Sequence, residues 1–203
     1  MAEPERPDVR AAREAWFEGQ LDLDPDRLVV LDETAASPNR ARRYGRAPRG
    51  ERCRMAVPQS HWKTTTITAG LRASGVTAPW LLDGAMNGQA FRSYGESVLS
   101  PALRPGNTVV LDNLPTHKVS GIRERIEAAG ARLLPLPPYS PEPKDRVSDF
   151  NPIEQAFAKL KALLRTAAAR TISDLWAAIK RALTRFQPAE CRNYLAAAGY
   201  NAA

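Results

Sequence analysis

The chain has 203 residues, 43% of them hydrophobic and 25% charged, a composition that suits one globular domain with its own core. No stretch approaches the roughly 20 apolar residues that span a bilayer, and the opening MAEPERPDVR is polar, so neither a membrane anchor nor a secretory signal is read here. A net charge of +7 suits a polyanionic partner.

Residues 7–21 have helical spacing, with Val9, Ala12, Trp16 and Leu21 roughly on one side. Residues 22–26 form a turn. Residues 27–33, RLVVLDE, predict a strand whose unbroken apolar run fits a central position covered on both faces. Between Ser37 and Lys63 come Arg40, Arg42, Arg43, Arg46, Arg49, Arg52, Arg54 and Lys63, with Glu51 the only acid. Guanidinium forks match phosphate oxygens, so this segment reads as a phosphate-contacting surface; the plainer alternative is a solvated, arginine-rich hairpin. Residues 52–57, 64–71 and 76–82 predict further strands, forming an antiparallel meander after the first. Asn87 is placed to cap a helix through Val98. Residues 108–112, TVVLD, predict a second buried strand ending in an acid. Residues 119–130 form an amphipathic helix closed by Gly130, and residues 131–136 a short strand. A proline-rich loop, 135–152, leads to a helix over 153–165, a second over 171–186 and a short one over 188–200. The alternation implies an α/β or α+β fold with a mixed sheet. The two cysteines, Cys53 and Cys191, lack metal-type spacing and read as reduced thiols of a cytoplasmic protein.

Three acids stand at the edges of regular elements: Asp32 in VVLDE, Asp112 in VVLDN and Glu154 in NPIEQAFAKLK. Strand ends are stiff and open into a shared crevice, and carboxylates suit hard divalent cations. Taken singly, an aspartate after a strand is an ordinary turn residue and a glutamate in a first helical turn favours the macrodipole. The three together point to a metal site.

The strings VVLDET, VVLDNLPTHK and LPPYSP…DFNPIEQAFAKLK, with RYGRAPRGER and HWKTTT between the first two, resemble the signature blocks of DDE transposases of the mariner superfamily, in its bacterial insertion-sequence branch. The resemblance runs from about residue 7 to residue 200. It implies an α/β, ribonuclease-H-like fold with a mixed central sheet flanked by helices. Residues 1–26 would be a helical extension, 27–170 the catalytic domain and 171–203 a helical segment packed on it. It also implies DNA strand cleavage and strand transfer by a site of Asp32, Asp112 and Glu154 holding two Mg2+ ions, with Mn2+ as a substitute. In that arrangement Asp32 bridges both ions, while Asp112 and Glu154 each hold one.

Two departures from the pattern stand out. Residues 142–148 interrupt the string that runs unbroken in that branch. Forty-one residues separate Asp112 from Glu154, and setting aside those seven leaves 34, the separation the branch carries. The seven read as an insertion in a loop beside the site, which loops tolerate. Ala35 stands where the family often has an aromatic residue.

The neighbours of the acids carry expectations too. Glu33 points to the face opposite Asp32 and supports the site from behind, with Asn113. His117 either orients a phosphate or is an exposed residue at a helix start. Asn151 is placed to cap the helix that carries Glu154. Lys118 and Lys161 are candidate DNA contacts, Lys161 lying seven residues beyond Glu154 on the same helix face. Trp62 and Trp176 read as core residues.

The expected partners are DNA, as transposon ends and target, and a second copy of the chain, with location in the cytoplasm at the nucleoid. Only 26 residues precede Arg27, too few for a pair of helix-turn-helix modules of about three short helices each. End recognition would then fall to a partner segment or an upstream reading frame. Two rival readings stand beside this one: a catalytically inactive remnant that binds DNA or full-length transposase as a regulator, and a ribonuclease H acting on RNA–DNA hybrids.

Overall fold

The computed structural model describes residues 6–40, 45–54, 64–113, 121–137 and 151–200. Helix α1 (Pro7–Gln20) precedes strand β1 (Leu28–Ala36), and the antiparallel strands β2 (Thr65–Arg72) and β3 (Gly75–Asp83) follow. Helix α2 (Gly88–Tyr94) passes through a π-helical segment (Gly95–Leu99) into a last turn, α3 (Ser100–Ala102). Then come β4 (Thr108–Leu111), α4 (Ile122–Ala128), β5 (Arg132–Pro135), α5 (Ile153–Ala167), α6 (Ile172–Leu183) and α7 (Pro188–Ala197). The five strands form one sheet in the order β3-β2-β1-β4-β5. The pairs β3–β2 and β2–β1 are antiparallel, whereas β1–β4 and β4–β5 are parallel.

The apolar run of β1 has the predicted consequence. Leu28 and Val30 enter a core shared with α5, α6 and α7, while Val29 and Leu31 enter a second core with Phe91, Tyr94, Ile122 and Ile126. A strand covered on both faces needs no alternation of polar residues. The expected cap at Asn87 forms, its side chain accepting from the Ala90 backbone N–H at 2.9 Å, and Thr171 caps α6 in the same way, accepting from the Asp174 N–H at 3.1 Å. Trp176 packs against the first core and donates from Nε1 to Thr65 Oγ1 at 3.1 Å. Both cysteines are free thiols, Cys53 exposed and Cys191 buried.

Two expectations are corrected. The strand over 52–57 is absent from residues 52–54, which are exposed and irregular; 55–57 lie outside the described residues. In the described part the two arginines flank a single exposed thiol, Cys53, so nothing there is buried against the sheet. The first strand also does not end at Glu33. Thr34, Ala35 and Ala36 continue the antiparallel ladder against Ile67, Thr66 and Thr65.

Strand β2 is buried along nearly its whole length, and it depends on Gly70. A Cβ there would stand 2.9 Å from Val29 Cγ1 and 3.0 Å from Thr77 Cγ2. Beside it the β2–β3 register slips: Thr68 faces Trp80 and Gly70 faces Thr77, so β3 carries one extra residue. Ala78 takes up the slack with φ +48, and the buried Tyr94 hydroxyl donates to its carbonyl at 3.0 Å. Valine cannot swing its methyl aside at little cost. Gly70→Ala is therefore expected to destabilise the fold by about 1–3 kcal/mol, read as a lowered midpoint in urea; an unchanged midpoint would show that the β1–β2 contact is looser than described.

Candidate active site

The parallel ladder between β1 and β4 fixes two carboxylates side by side. Its register pairs Leu28 with Thr108, Val29 with Val109, Val30 with Val110 and Leu31 with Leu111. The next residues on each chain are Asp32 and Asp112. Adjacent strands lie about 4.8 Å apart, so the two acids leave the ladder together. Side chains alternate along a strand. Leu28, Val30 and Val110 face the core of α5, which puts Asp32 and Asp112 on the α5 side. Glu33 then faces the other way, as expected, and its charge acts on the Tyr94 hydroxyl across that second core. Here β4 stops and β1 runs on, which opens a notch at the C-terminal edge of the parallel strands, where ligands bind in open α/β sheets.

Asp32 is partly buried. Its Oδ1 accepts from the Glu33 backbone N–H at 2.7 Å, and its Oδ2 accepts from Asn151 Nδ2 at 3.0 Å. These bonds favour the charged form, yet burial outweighs them, and the negative charges of Asp112 and Glu33 add to it. The carboxyl is pushed up to about 7. Two hard oxygen donors set side by side suit a divalent cation.

Asn151 corrects a local expectation. Pro152 occupies the N-cap position of α5, and no side chain caps the helix. Asn151 instead reaches across 119 positions of sequence to Asp32. It is almost fully buried, and its Oδ1 has no partner among the described residues. The asparagine thus ties the start of α5 to the carboxylate of β1, a role that helix-capping rules do not reveal.

Glu154 lies three residues beyond Asn151 in the first turn of α5, on the sheet face that bears the two aspartates, and it is exposed. Among the described residues no group of three or more His, Cys, Asp or Glu side chains gathers closely enough to hold a metal ion. The structure thus brings together Asp32, Asp112 and Asn151. Asn113 is partly buried next to Asp112. His117, Lys118 and the 142–148 segment lie outside the described residues.

Of the basic residues, Arg46, Arg49 and Arg52 are exposed, whereas Arg40 and Lys161 are partly buried. Arg42, Arg43 and Lys63, like Trp62, lie outside the described residues. No helix among the described residues is long and apolar enough to cross a membrane.

Comparison with known proteins bears on this arrangement. No curated protein sequence matches the chain. Among solved structures, the fold is similar to the Mos1 mariner paired end complex with Mn, with TM-score 0.68 and 17% identity over 98% of this chain and 60% of that one. It is similar to the Mos1 strand transfer complex, with TM-score 0.64 and 17% identity over 94% and 57%. It is also similar to the Mos1 transposase catalytic domain bound to Raltegravir with Mg, with TM-score 0.64 and 16% identity over 98% and 92%. At such identities the likeness is one of fold, and the fold is the expected ribonuclease-H-like one. The chain spans about three fifths of the Mos1 chains in the first two complexes. In sequence, residues 27–176 match the family described as DDE superfamily endonuclease. That match takes in the β1–β4 ladder, both aspartates and the whole of α5, and the chain belongs to the DDE superfamily endonucleases.

Proposed function

We propose that this chain is the catalytic part of a transposase, which cuts DNA strands and joins them to a target for an insertion sequence of the bacterial type, using Mg2+ or Mn2+. The observation that carries this reading is the Asp32–Asp112 pair at the end of the parallel ladder, with the Asp32 carboxyl held by the residue that opens the helix of Glu154. Family membership supports it.

Two divalent ions at such a site would activate the attacking oxygen and neutralise charge at phosphorus. The chain's own part is to hold oxygen donors rigidly. Asp32 is fixed by hydrogen bonds to both of its oxygens. Asp112 is carried by a strand buried along its length. Glu154, on the first turn of α5, is the third donor of this reading. Displacement of a reacting group by about 1 Å can cost on the order of 100-fold in rate, so Asn151, which sets the spacing between α5 and β1, matters as much as the ligands it supports. By the same reading the DNA contacts are Arg40, Arg42, Arg43, Arg46, Arg49, Arg52, Lys63, Lys118 and Lys161, and a helix-turn-helix segment and a second copy complete the assembly.

A second reading is favoured by one observation, the exposure of Glu154. It holds that the chain binds DNA or full-length transposase without cutting. Nicking of supercoiled plasmid in Mn2+ separates the two. The first reading expects nicking that Asp112→Asn reduces by on the order of 1000-fold, several kcal/mol of transition-state stabilisation. DNA binding without nicking in any divalent metal would establish the second.

A cation at the aspartate pair also has a thermodynamic signature. An ordinary aspartate titrates near about 3.9, whereas Asp32 in the folded chain titrates at about 7. Between those values the folded state holds the proton more tightly, so stability falls as pH rises through this window. Without metal, Asp32→Asn is expected to melt higher than the parent at pH 8, by a few kcal/mol at most, and to lose that advantage near pH 4. Millimolar Mg2+ at pH 8 is expected to raise the melting temperature of the parent and leave that of Asp32→Asn unmoved. Equal metal shifts in both proteins would place the cation elsewhere.

A further inference from the structure

A second concentration of charge lies away from the carboxylates, where Arg40 comes up to two arginines at the end of α5. Beyond β1 the chain turns back, and Arg40 Nη2 donates to the Ala35 carbonyl at 2.5 Å. Helix α5 is closed by Ala168 in the left-handed region, φ +50. Two residues later Arg170 Nη1 donates to the Arg40 carbonyl at 3.5 Å. Arg165, in the last turn of α5, is near enough to repel the Arg40 guanidinium; burial and that repulsion, in that order, lower the pKa of Arg40.

All three arginines are partly buried. Among the described residues none of them pairs with a carboxylate. The buried Nε of Arg40 has no acceptor there either. Guanidinium groups do not shed their proton in proteins, so the folded chain carries the cost of desolvating and crowding like charges. The C-terminal dipole of α5 accounts for one cation, Arg165. It does nothing for the unmet donor of Arg40. What the cluster lacks is an anion with several oxygens, reached by forks that bind in pairs.

Position narrows which anion. Along α5, Glu154, Lys161 and Arg165 succeed one another at spacings of seven and four, one stripe of the helix. Arg165 stands eleven residues beyond Glu154, about 16 Å at 1.5 Å per residue. A duplex carries a phosphate every 3.4 Å or so of axis on each strand, so one duplex laid along this stripe spans both places.

We propose that Arg40, Arg165 and Arg170 form a phosphodiester-binding site that grips the backbone of the DNA whose cleavage is assigned to the carboxylate site. Only the pairing with cleavage rests on the proposed function; the anion site itself does not. The test is binding of the full chain to a labelled duplex in EDTA, followed by fluorescence anisotropy across a salt series. Arg165→Gln/Arg170→Gln is compared with Arg10→Gln/Arg123→Gln, which removes the same charge from exposed surface arginines. The cluster variant is expected to bind on the order of 10- to 100-fold more weakly, with a salt slope reduced by about two, while the control changes little.

Equal losses in the two variants would overturn the proposal, because net charge alone would then explain binding. Inorganic phosphate that stabilises the parent thermally, with duplex binding indifferent to the cluster variant, would overturn the DNA assignment in favour of a small-anion site. Melting of each variant without DNA checks that it is folded, and Arg170→Lys, which keeps the charge and loses the fork, supplies a second variant expected to fall between parent and cluster variant. Because EDTA removes catalysis, the outcome is independent of whether Asp112 governs nicking.

Discussion

The arrangement depends on one costly juxtaposition: two carboxylates carried side by side where a parallel ladder stops. Strands β1 and β4 are buried and in fixed register, so Asp32 and Asp112 cannot drift apart to relieve their repulsion. Asp32 is desolvated as well, and its affinity for a proton rises accordingly. Asp32 thus carries a standing penalty of burial that hydrogen bonds from Glu33 and Asn151 offset only in part. A bound cation would remove it. Unfavourable electrostatics held in place by a rigid scaffold are a signature of a functional site rather than of a stabilising one.

The same logic organises the rest of the molecule. Core residues alternate between the two faces of β1 so that the ladder is stiff. Helix α5 packs its apolar side, Ile153, Ala156, Phe157, Leu160 and Leu164, on the sheet face that bears the aspartates. Its middle is secured to α7 and the turn before it: Lys159 Nζ donates to Glu190 Oε2 at 2.5 Å and to the Arg185 carbonyl at 3.0 Å, and sits 4.6 Å above the Phe186 ring. With that anchor and with Asn151 just before its start, α5 is held at two points, one against α7 and one against β1. The polar stripe of Glu154, Lys161 and Arg165 is thereby presented as a unit, running from the carboxylate notch toward the arginine cluster.

Much of the fold was legible in the sequence, because its signals are local. An unbroken apolar run marks a strand covered on both faces, as β1 is, and Asn87 and Thr171 cap the helices they precede. The acids of VVLDE and VVLDN follow matching apolar strings, and parallel pairing of such strings aligns what comes after them. The remainder depends on contacts distant in sequence. Asn151 has the form of a helix cap, but a buried carboxylate elsewhere in the chain offered its amide a partner. The continuation of β1 past Glu33 is decided by β2, not by β1 itself. The π-helical segment after α2 holds Gly95 so close to α4 that a Cβ would fall 2.6 Å from Ile122 Cδ1, a constraint no local pattern announces. Arg165 and Arg170 carry no local signal either; the turn at Ala168 brings Arg170 to the Arg40 carbonyl, on the side where Arg165 stands.

The central claim is that Asp32 and Asp112 together ligate a divalent cation. The most direct measurement is an anomalous difference map from crystals grown in Mn2+. The account predicts a peak bonded to a carboxylate oxygen of each aspartate, in the notch where β4 ends and β1 continues. Crystals that diffract well, with Mn2+ present and no peak between these two residues, would contradict it.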